Sequence, residues 1–314
     1  MAAALALAAR GRGQTAPNPN VGCILIKQGR VIGRGWTQKG GRPHAEAMAL
    51  AEAGEAAHGA TVYVTLEPCA HDSARGPSCA DTLIEAGVAR VCMGMTDPDP
   101  RTNGQGSARL SAAGIDVVTG IMASECAATM AGFLTKTAKG RPYVTLKLAT
   151  SLDGMIATTA GRSRWITGEA ARTHGHLERA QCDMIVVGRG TLDADAPALD
   201  VRLAGLEDRS PRRAVLSTKA VGEGWEWLPA PAAIFALSNV DHILIEGGAS
   251  AAAAFMKESL VDRLLLYRAP ILIGDGKPCL GDIGVIDVND AHGRWRLVDM
   301  RMLGKDRLEI YEAQ

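Results

Sequence analysis

The short stretch Ala138-Lys139-Gly140-Arg141-Pro142 interrupts a run of alternating strand and helix signals, and beyond it the same alternation starts again. Glycine and proline punctuate a chain because one samples backbone angles closed to other residues and the other cannot extend a helix or a ladder. Before the interruption, apolar runs at 21–26 and 31–36 flank the polar turn Lys27-Gln28-Gly29-Arg30, the signature of a hairpin. Helices are expected at 45–57, 79–86, 107–113 and 124–137, with strands at 61–66, 90–95 and 115–118. After it, strands are expected at 143–148, 184–187, 213–216, 242–246, 263–267, 295–300 and 308–311, and helices at 169–180 and 250–257. The stretch 218–239 carries no convincing element, and no internal repeat is visible. Strands alternating with helices imply an α/β architecture, here twice over, in domains spanning 1–140 and 141–314. A length of 314 residues fits two domains.

Composition narrows the function. Lys plus Arg and Asp plus Glu both number 34, so the formal net charge is zero. Gripping a phosphate backbone needs an excess of basic side chains for counterion release, so no nucleic-acid partner is expected. Aromatic residues make up only 4% of the chain, leaving the cores to Ala, Val, Leu and Ile and little material for stacking bases. Seven cysteines are an odd number, better suited to metal ligation and buried thiols than to a disulfide framework. The apolar opening of residues 1–9 lacks the preceding basic residues of a secretory signal and reads as a short amphipathic helix. No run approaches the ~18 apolar residues of a membrane span. A cytoplasmic protein without a membrane partner is therefore expected.

One constellation carries hydrolytic chemistry. His44-Ala45-Glu46 opens the Ala-rich helix, Glu67-Pro68-Cys69 follows a strand, and Cys79 opens the next helix. One imidazole and two thiolates are three zinc ligands that leave a fourth tetrahedral position for water, the arrangement of a catalytic site. Zinc lowers the pKa of such a water, and Glu46 is the carboxylate placed to shuttle its proton. Each residue alone has a plainer reading, His44 as a helix cap and the cysteines as core thiols. Their joint order matches the zinc-deaminase signature of His-x-Glu followed by Pro-Cys-x-x-Cys, except that nine residues separate Cys69 from Cys79. The insertion 70–78 is a polar loop; His71 within it is read either as a substrate contact or as a solvated loop residue.

Thr15-Ala16-Pro17-Asn18-Pro19-Asn20-Val21-Gly22, His44-Ala45-Glu46, Thr65-Leu66-Glu67-Pro68-Cys69 and Lys147-Leu148-Ala149-Thr150-Ser151-Leu152-Asp153-Gly154 together closely resemble the bifunctional riboflavin-biosynthesis deaminase-reductase family over nearly the whole chain. The resemblance implies a cytidine-deaminase-like αβα domain followed by a dihydrofolate-reductase-like α/β domain. It implies zinc-dependent deamination of a diaminohydroxypyrimidine carrying a phosphoribosylamino group, then NADPH-dependent reduction of the ribosyl group to ribityl. A small phosphorylated pyrimidine substrate and a homo-oligomer, dimer or tetramer, come with it. Asn18 is implied as a pyrimidine contact, although Asn and Pro also favour a plain turn there. The loop before Cys79 departs from the family's Thr-Pro-Pro-Cys, reading Gly76-Pro77-Ser78-Cys79.

The second half tests the reductase expectation less sharply. Gly188-Arg189-Gly190 hints at a Rossmann turn, but Asp193 stands where the third glycine belongs, so that fingerprint fails. Glu246-Gly247-Gly248-Ala249-Ser250 joins a strand to a helix, and backbone N–H groups at a helix start form an anion site; an ordinary tight turn is the alternative. The resemblance implies that Gly247, Gly248, Ala249 and Ser250, with Ala149, Trp165, Thr191 and Asp195, contact the cofactor. It implies Ser163, Arg179, Leu199, Arg202 and Glu246 as substrate contacts, and a guanidinium fork suits a phosphate ester. Lys147 and Asp153 are candidates near the chemistry. His174 and His176 are expected to be solvated, since residues two apart on a helix do not share a face. The short connection 217–241 predicts weakened NADPH binding.

Overall fold

The computed structural model describes residues 1–71 and 76–314; the loop positions Asp72, Ser73, Ala74 and Arg75 lie outside the described residues. The chain divides into two units, Met1–Gly140 and Arg141–Gln314.

The first unit contains, in order, α1 (Ala2–Gly11), β1 (Gly22–Lys27), β2 (Arg30–Trp36), α2 (Ala45–Ala53), β3 (Thr61–Val64), α3 (Cys79–Glu85), β4 (Arg90–Met93), α4 (Gln105–Ala112), β5 (Asp116–Val118), α5 (Ala123–Thr129) and α6 (Ala131–Lys139). Its five-stranded sheet has the order β2-β1-β3-β4-β5, with β1 antiparallel to both neighbours and β3, β4 and β5 parallel. Leu25, Val62, Val64, Leu83, Val91, Met93 and Leu110 form the core. Scarce aromatics are compensated by close approach: a Cβ on Gly22 would stand 1.9 Å from the Ala4 carbonyl, and one on Gly35 would stand 2.0 Å from the Ala45 carbonyl. Glycine on the strands and alanine on the helices let the two backbones touch. The helix expected at 124–137 is two helices, broken at buried Met130. The helix expected to reach 57 ends at Ala53, where Gly54 takes φ +53° and a 3-10 turn takes over.

The second unit contains β6 (Tyr143–Thr150), β7 (Met155–Thr158), α7 (Glu169–Ala180), β8 (Met184–Gly188), α8 (Arg189–Asp195), β9 (Arg212–Leu216), β10 (Glu226–Leu228), β11 (His242–Glu246), α9 (Ala249–Lys257), β12 (Arg263–Arg268), β13 (Gly276–Pro278), β14 (Trp295–Leu303) and β15 (Asp306–Ala313). Eight strands form a sheet in the order β10-β9-β8-β11-β6-β12-β15-β14, parallel from β10 through β12 and antiparallel at β15 and β14. Parallel strands are buried on both faces, and β8 and β11 are accordingly almost continuous runs of buried residues. Arg141 and Asp262 anchor the unit's first residues through a bidentate pair at 2.6 and 2.8 Å, and Asp262 also accepts the Val144 N–H. The stretch 218–239, expected to be irregular, contributes β10 as an edge strand and a 3-10 turn at Pro231–Ala236. A three-residue strand is too short to show periodicity, so its pairing with β9 was invisible to pattern reading.

Candidate active sites

In the first unit, the loop after β2 delivers His44 to the start of α2, and the segment after β3 delivers Cys69 opposite Cys79 at the start of α3. The donor atoms of His44, Cys69 and Cys79 all lie within 4.8 Å of one another. His44 Nδ1 stands 3.3 Å from Cys79 Sγ and 3.7 Å from Cys69 Sγ. Zinc–ligand bonds of about 2.0–2.3 Å at tetrahedral angles give edges of roughly 3.5 Å, so the set fits zinc. Glu46, 3% exposed, sits beside it, and burial pushes its carboxyl up to about 7. A carboxyl poised there can both take and return a proton near neutral pH. The Cys79 thiol and backbone N–H both bond to Cys69, which holds the Cys69 thiol well below its ordinary range, while the shared proton and burial push Cys79 up.

The supports around these donors are specific. The Asn18 side-chain amide lies 3.1 Å from His44 Nε2. It is the amide nitrogen that faces Nε2; were zinc held on Nδ1, Nε2 would carry the imidazole proton and the Asn18 amide would have to turn over to accept it with its oxygen. Glu67, 2% exposed, accepts the N–H groups of Asp97, Gly104 and Ser107 and the Ser107 hydroxyl. It therefore ties the residue two before Cys69 to the start of α4. Helix α4 presses against that segment: a Cβ on Gly106 would be 2.1 Å from the Pro68 carbonyl. Sequence reasoning gave Glu67 no role; its place in Glu-Pro-Cys was the available signal. His71 Nδ1 lies 3.3 Å from the Thr102 hydroxyl, which supports an anchored residue over a solvated one. A pocket of about 350 Å³, lined by Arg42, Pro43, Pro77 and Thr82, adjoins His44 and Cys79.

In the second unit, one cavity of about 1560 Å³ opens at the carboxyl ends of β6, β12, β11, β8 and β9. Single-ligand pockets hold about 300–1,000 Å³, so this one has room for two. Ala149, Trp165, Thr191, Asp195, Gly247, Gly248, Ala249 and Ser250 line it, together with Ser163, Arg179, Leu199, Arg202 and Glu246. Ligands of open α/β sheets bind at this end of the strands. The fit to a dinucleotide is visible at the β11–α9 turn, where Gly247 and Gly248 both have positive φ and the Thr191 side chain packs against them.

The cavity floor is an ionic cluster. Arg179 grips Glu246 through Nε at 2.7 Å and a terminal nitrogen at 2.9 Å, and Lys147 Nζ lies 3.7 Å from the same carboxylate. Burial alone would raise the Glu246 carboxyl, but the two cations bring it down to about 2. Lys147 also sits 5.7 Å above the ring of Tyr267, whose hydroxyl is 2.7 Å from His174 Nδ1. The expectation that His174 and His176 are solvated is wrong. The two do point apart, but α7 is packed on both sides: His174 meets Tyr267 of β12, and His176 lies 3.1 Å from the Asp200 carbonyl and lines the cavity. Asp153 does not line the cavity; it accepts the N–H groups of Ile273 and Gly274 and the Ser151 hydroxyl. Asp193, which stands where a dinucleotide fingerprint would have its third glycine, belongs to α8 and pairs with Arg189. Cys279 is half-buried and faces the cavity.

The fold and the two sites define a zinc deaminase joined to a dinucleotide-dependent reductase, and the comparisons agree. Residues 1–95 match the cytidine and deoxycytidylate deaminase zinc-binding region, and residues 142–227 and 232–308 match the RibD C-terminal domain. The chain is 39% identical to riboflavin biosynthesis protein RibD of Escherichia coli (strain K12), over 98% of this chain and 96% of that one. It is 36% identical to the RibD of Aquifex aeolicus, over 99% and 97%. Among solved structures, Acinetobacter baumannii RibD superposes with a TM-score of 0.86 at 35% identity, covering 100% of this chain and 97% of that one. A Thermotoga maritima diaminohydroxyphosphoribosylaminopyrimidine deaminase/5-amino-6-(5-phosphoribosylamino)uracil reductase does so at 0.89 and 28%, with the same coverage. The chain belongs to the RibD family of bifunctional riboflavin-biosynthesis deaminase-reductases.

Proposed function

We propose that residues 1–140 deaminate a diaminohydroxy-phosphoribosylaminopyrimidine and that residues 141–314 then reduce its ribosyl group to ribityl with NADPH. The observation that carries the first half is the buried carboxylate of Glu46 beside a donor set of tetrahedral dimensions. His44, Cys69 and Cys79 hold zinc, which when bound acidifies a water for attack on the amino-bearing ring carbon. Glu46 takes the proton that this water gives up and returns it to the departing amine, so that ammonia leaves neutral. Asn18 and His71 border the pyrimidine. The enclosed position of Glu46 keeps bulk water from competing for the proton.

In the second half, Ala149, Trp165, Thr191, Asp195 and the turn Gly247-Gly248-Ala249-Ser250 hold NADPH, which supplies the hydride. Ser163, Leu199 and Arg202 orient the phosphorylated substrate, with Arg179 and Glu246 fixing the cavity floor. Hydride addition at the sugar's anomeric carbon breaks the bond to the ring oxygen, and that oxygen needs a proton. Lys147, held at the floor by Glu246 and the Tyr267 ring, is the ammonium placed to give it.

No helix among the described residues is long and apolar enough to cross a membrane, which accords with a cytoplasmic biosynthetic enzyme. Strand β14 leaves Leu297, Val298, Met300 and Met302 exposed at the sheet edge, a surface suited to a homo-oligomer. Incubation of the zinc-loaded chain with the diaminopyrimidine tests the reading. Ammonia release without NADPH, followed by NADPH oxidation only after deamination, is expected; NADPH oxidation that ignores prior deamination overturns the order of steps.

A further inference from the structure

The pocket beside His44 and Cys79 holds a cation to which nothing above gives work. Arg42 stands two positions before His44, and its guanidinium Nη1 lies 3.3 Å from where a Cβ on Gly76 would be, three positions before Cys79. The guanidinium therefore sits between the two segments that deliver those ligands, on the wall of the pocket that adjoins them. Glycine at 76, where the family's loop has threonine, leaves that space open to it. Arg34, Arg90, Arg101 and Arg109 of the same unit each have a carboxylate partner. Among the described residues no carboxylate pairs with Arg42 and none lines the pocket. The Thr82 hydroxyl, also on the wall, is committed to the Cys79 carbonyl at 2.9 Å. The pocket thus presents one positive charge without a counter-ion.

The backbone that carries Arg42 is held in place. Gly40 and Gly41 both take positive φ, the Gly41 N–H donates to the Gln38 carbonyl at 2.9 Å, and the Gln38 N–H donates to the Pro43 carbonyl at 3.0 Å. A Cβ on Gly41 would stand 2.5 Å from Asn18 Cγ, so this loop rests directly on the residue assigned to the pyrimidine. A substrate whose ring lies against Asn18 and the metal ligands therefore meets Arg42 with a substituent of the ring. The only anionic part of that substrate is its phosphate monoester, with a charge of about −1.5 to −2 at neutral pH. We propose that Arg42 binds the phosphate of the phosphoribosylamino group and so makes the deaminase selective for the phosphorylated pyrimidine. The planar guanidinium offers paired N–H donors to two phosphate oxygens, and the fixed loop lowers the ordering cost of the contact. This rests on the deaminase reading above.

Ammonia release by the full-length zinc-loaded chain, measured with the phosphorylated diaminopyrimidine and with the same compound after removal of its phosphate, tests it. The unaltered chain is expected to prefer the phosphorylated compound. Arg42→Ala and Arg42→Gln should each lower kcat/KM for that compound by roughly 10- to 100-fold, the worth of one charge-assisted contact, while kcat/KM for the phosphate-free compound holds and serves as the control for folding and zinc content. Arg42→Lys, which keeps the charge without the fork, should recover part of the loss. Equal losses on both compounds, or an unchanged preference, overturn the proposal while leaving the deaminase reading intact. Failure of the unaltered chain to release ammonia from either compound overturns both.

Discussion

Arg179 and Glu246 meet in a two-pronged pair at 2.7 and 2.9 Å, and the carboxylate is buried with Lys147 as its second cation. A buried charge held this way is costly to strand. Glu246 titrates at about 2 when folded against an ordinary 4.5. Its contribution, about 3 kcal/mol from the size of that shift, is in full force above pH ~4.5 and drains away as the pH falls toward 2. Urea unfolding of the second unit's transition should show this acid limb in the unaltered chain and a flatter one in Glu246→Gln. Two parallel pH profiles would rule out Glu246 as its source.

Glu46→Gln keeps the size of the side chain and removes its proton traffic. Ammonia release should fall by roughly 10²- to 10⁴-fold, with about one zinc per chain retained by metal analysis. Loss of zinc together with activity would mean that Glu46 acts on the metal site's integrity and not on the proton.

Zinc removal should separate the two activities. A chelator, or Cys79→Ser, is expected to stop deamination while the chain still oxidises NADPH when given the already deaminated substrate, since every residue that lines the cavity proposed for reduction belongs to the second unit. An equal loss of both activities would count against independent sites.

Gly106 stands where α4 meets the Pro68 carbonyl, and Glu67 ties α4 to the same segment. Gly106→Ala must push the two backbones apart. It should lower zinc affinity by about 10-fold, in the range seen when ligand-supporting groups are lost, as read by competition with a chromophoric chelator. Glu67→Ala should cost about 2–4 kcal/mol, because one buried and two part-buried N–H donors lose their acceptor, and Glu67→Gln less. Zinc affinity unmoved in Gly106→Ala would show that the contact relaxes without reaching Cys69.

What could be read from the sequence depended on how narrowly the chemistry constrains residue type. Zinc accepts few side chains, so His44, Glu46, Cys69 and Cys79 announced themselves even with a nine-residue gap where two are usual. The reductase cavity is assembled from backbone turns and from side chains scattered between Ala149 and Ser250; of its two local motifs, Gly188-Arg189-Gly190 fails as a fingerprint and only the glycine turn at 246–250 could be read from the residues themselves. The other residues became visible only through resemblance to a family. Tyr267 and His174 escaped for a different reason: helical spacing says which way a side chain points, not what is packed there. The same limit hid β10, whose three residues gain their meaning from β9 alone.

The contact of Gly22 with the Ala4 carbonyl and of Gly35 with the Ala45 carbonyl also decides where this enzyme can vary. A seam in which main chain rests on main chain has no side chain to trade, so no compensating shrinkage on the other side can make room for a methyl group. Random mutagenesis of the first unit should therefore return few survivors along β1 and β2 at these glycines, and many on the outward faces of α5 and α6. Engineers wanting to reshape the deaminase pocket have the polar loop before Cys79 to work with, and should leave that seam alone.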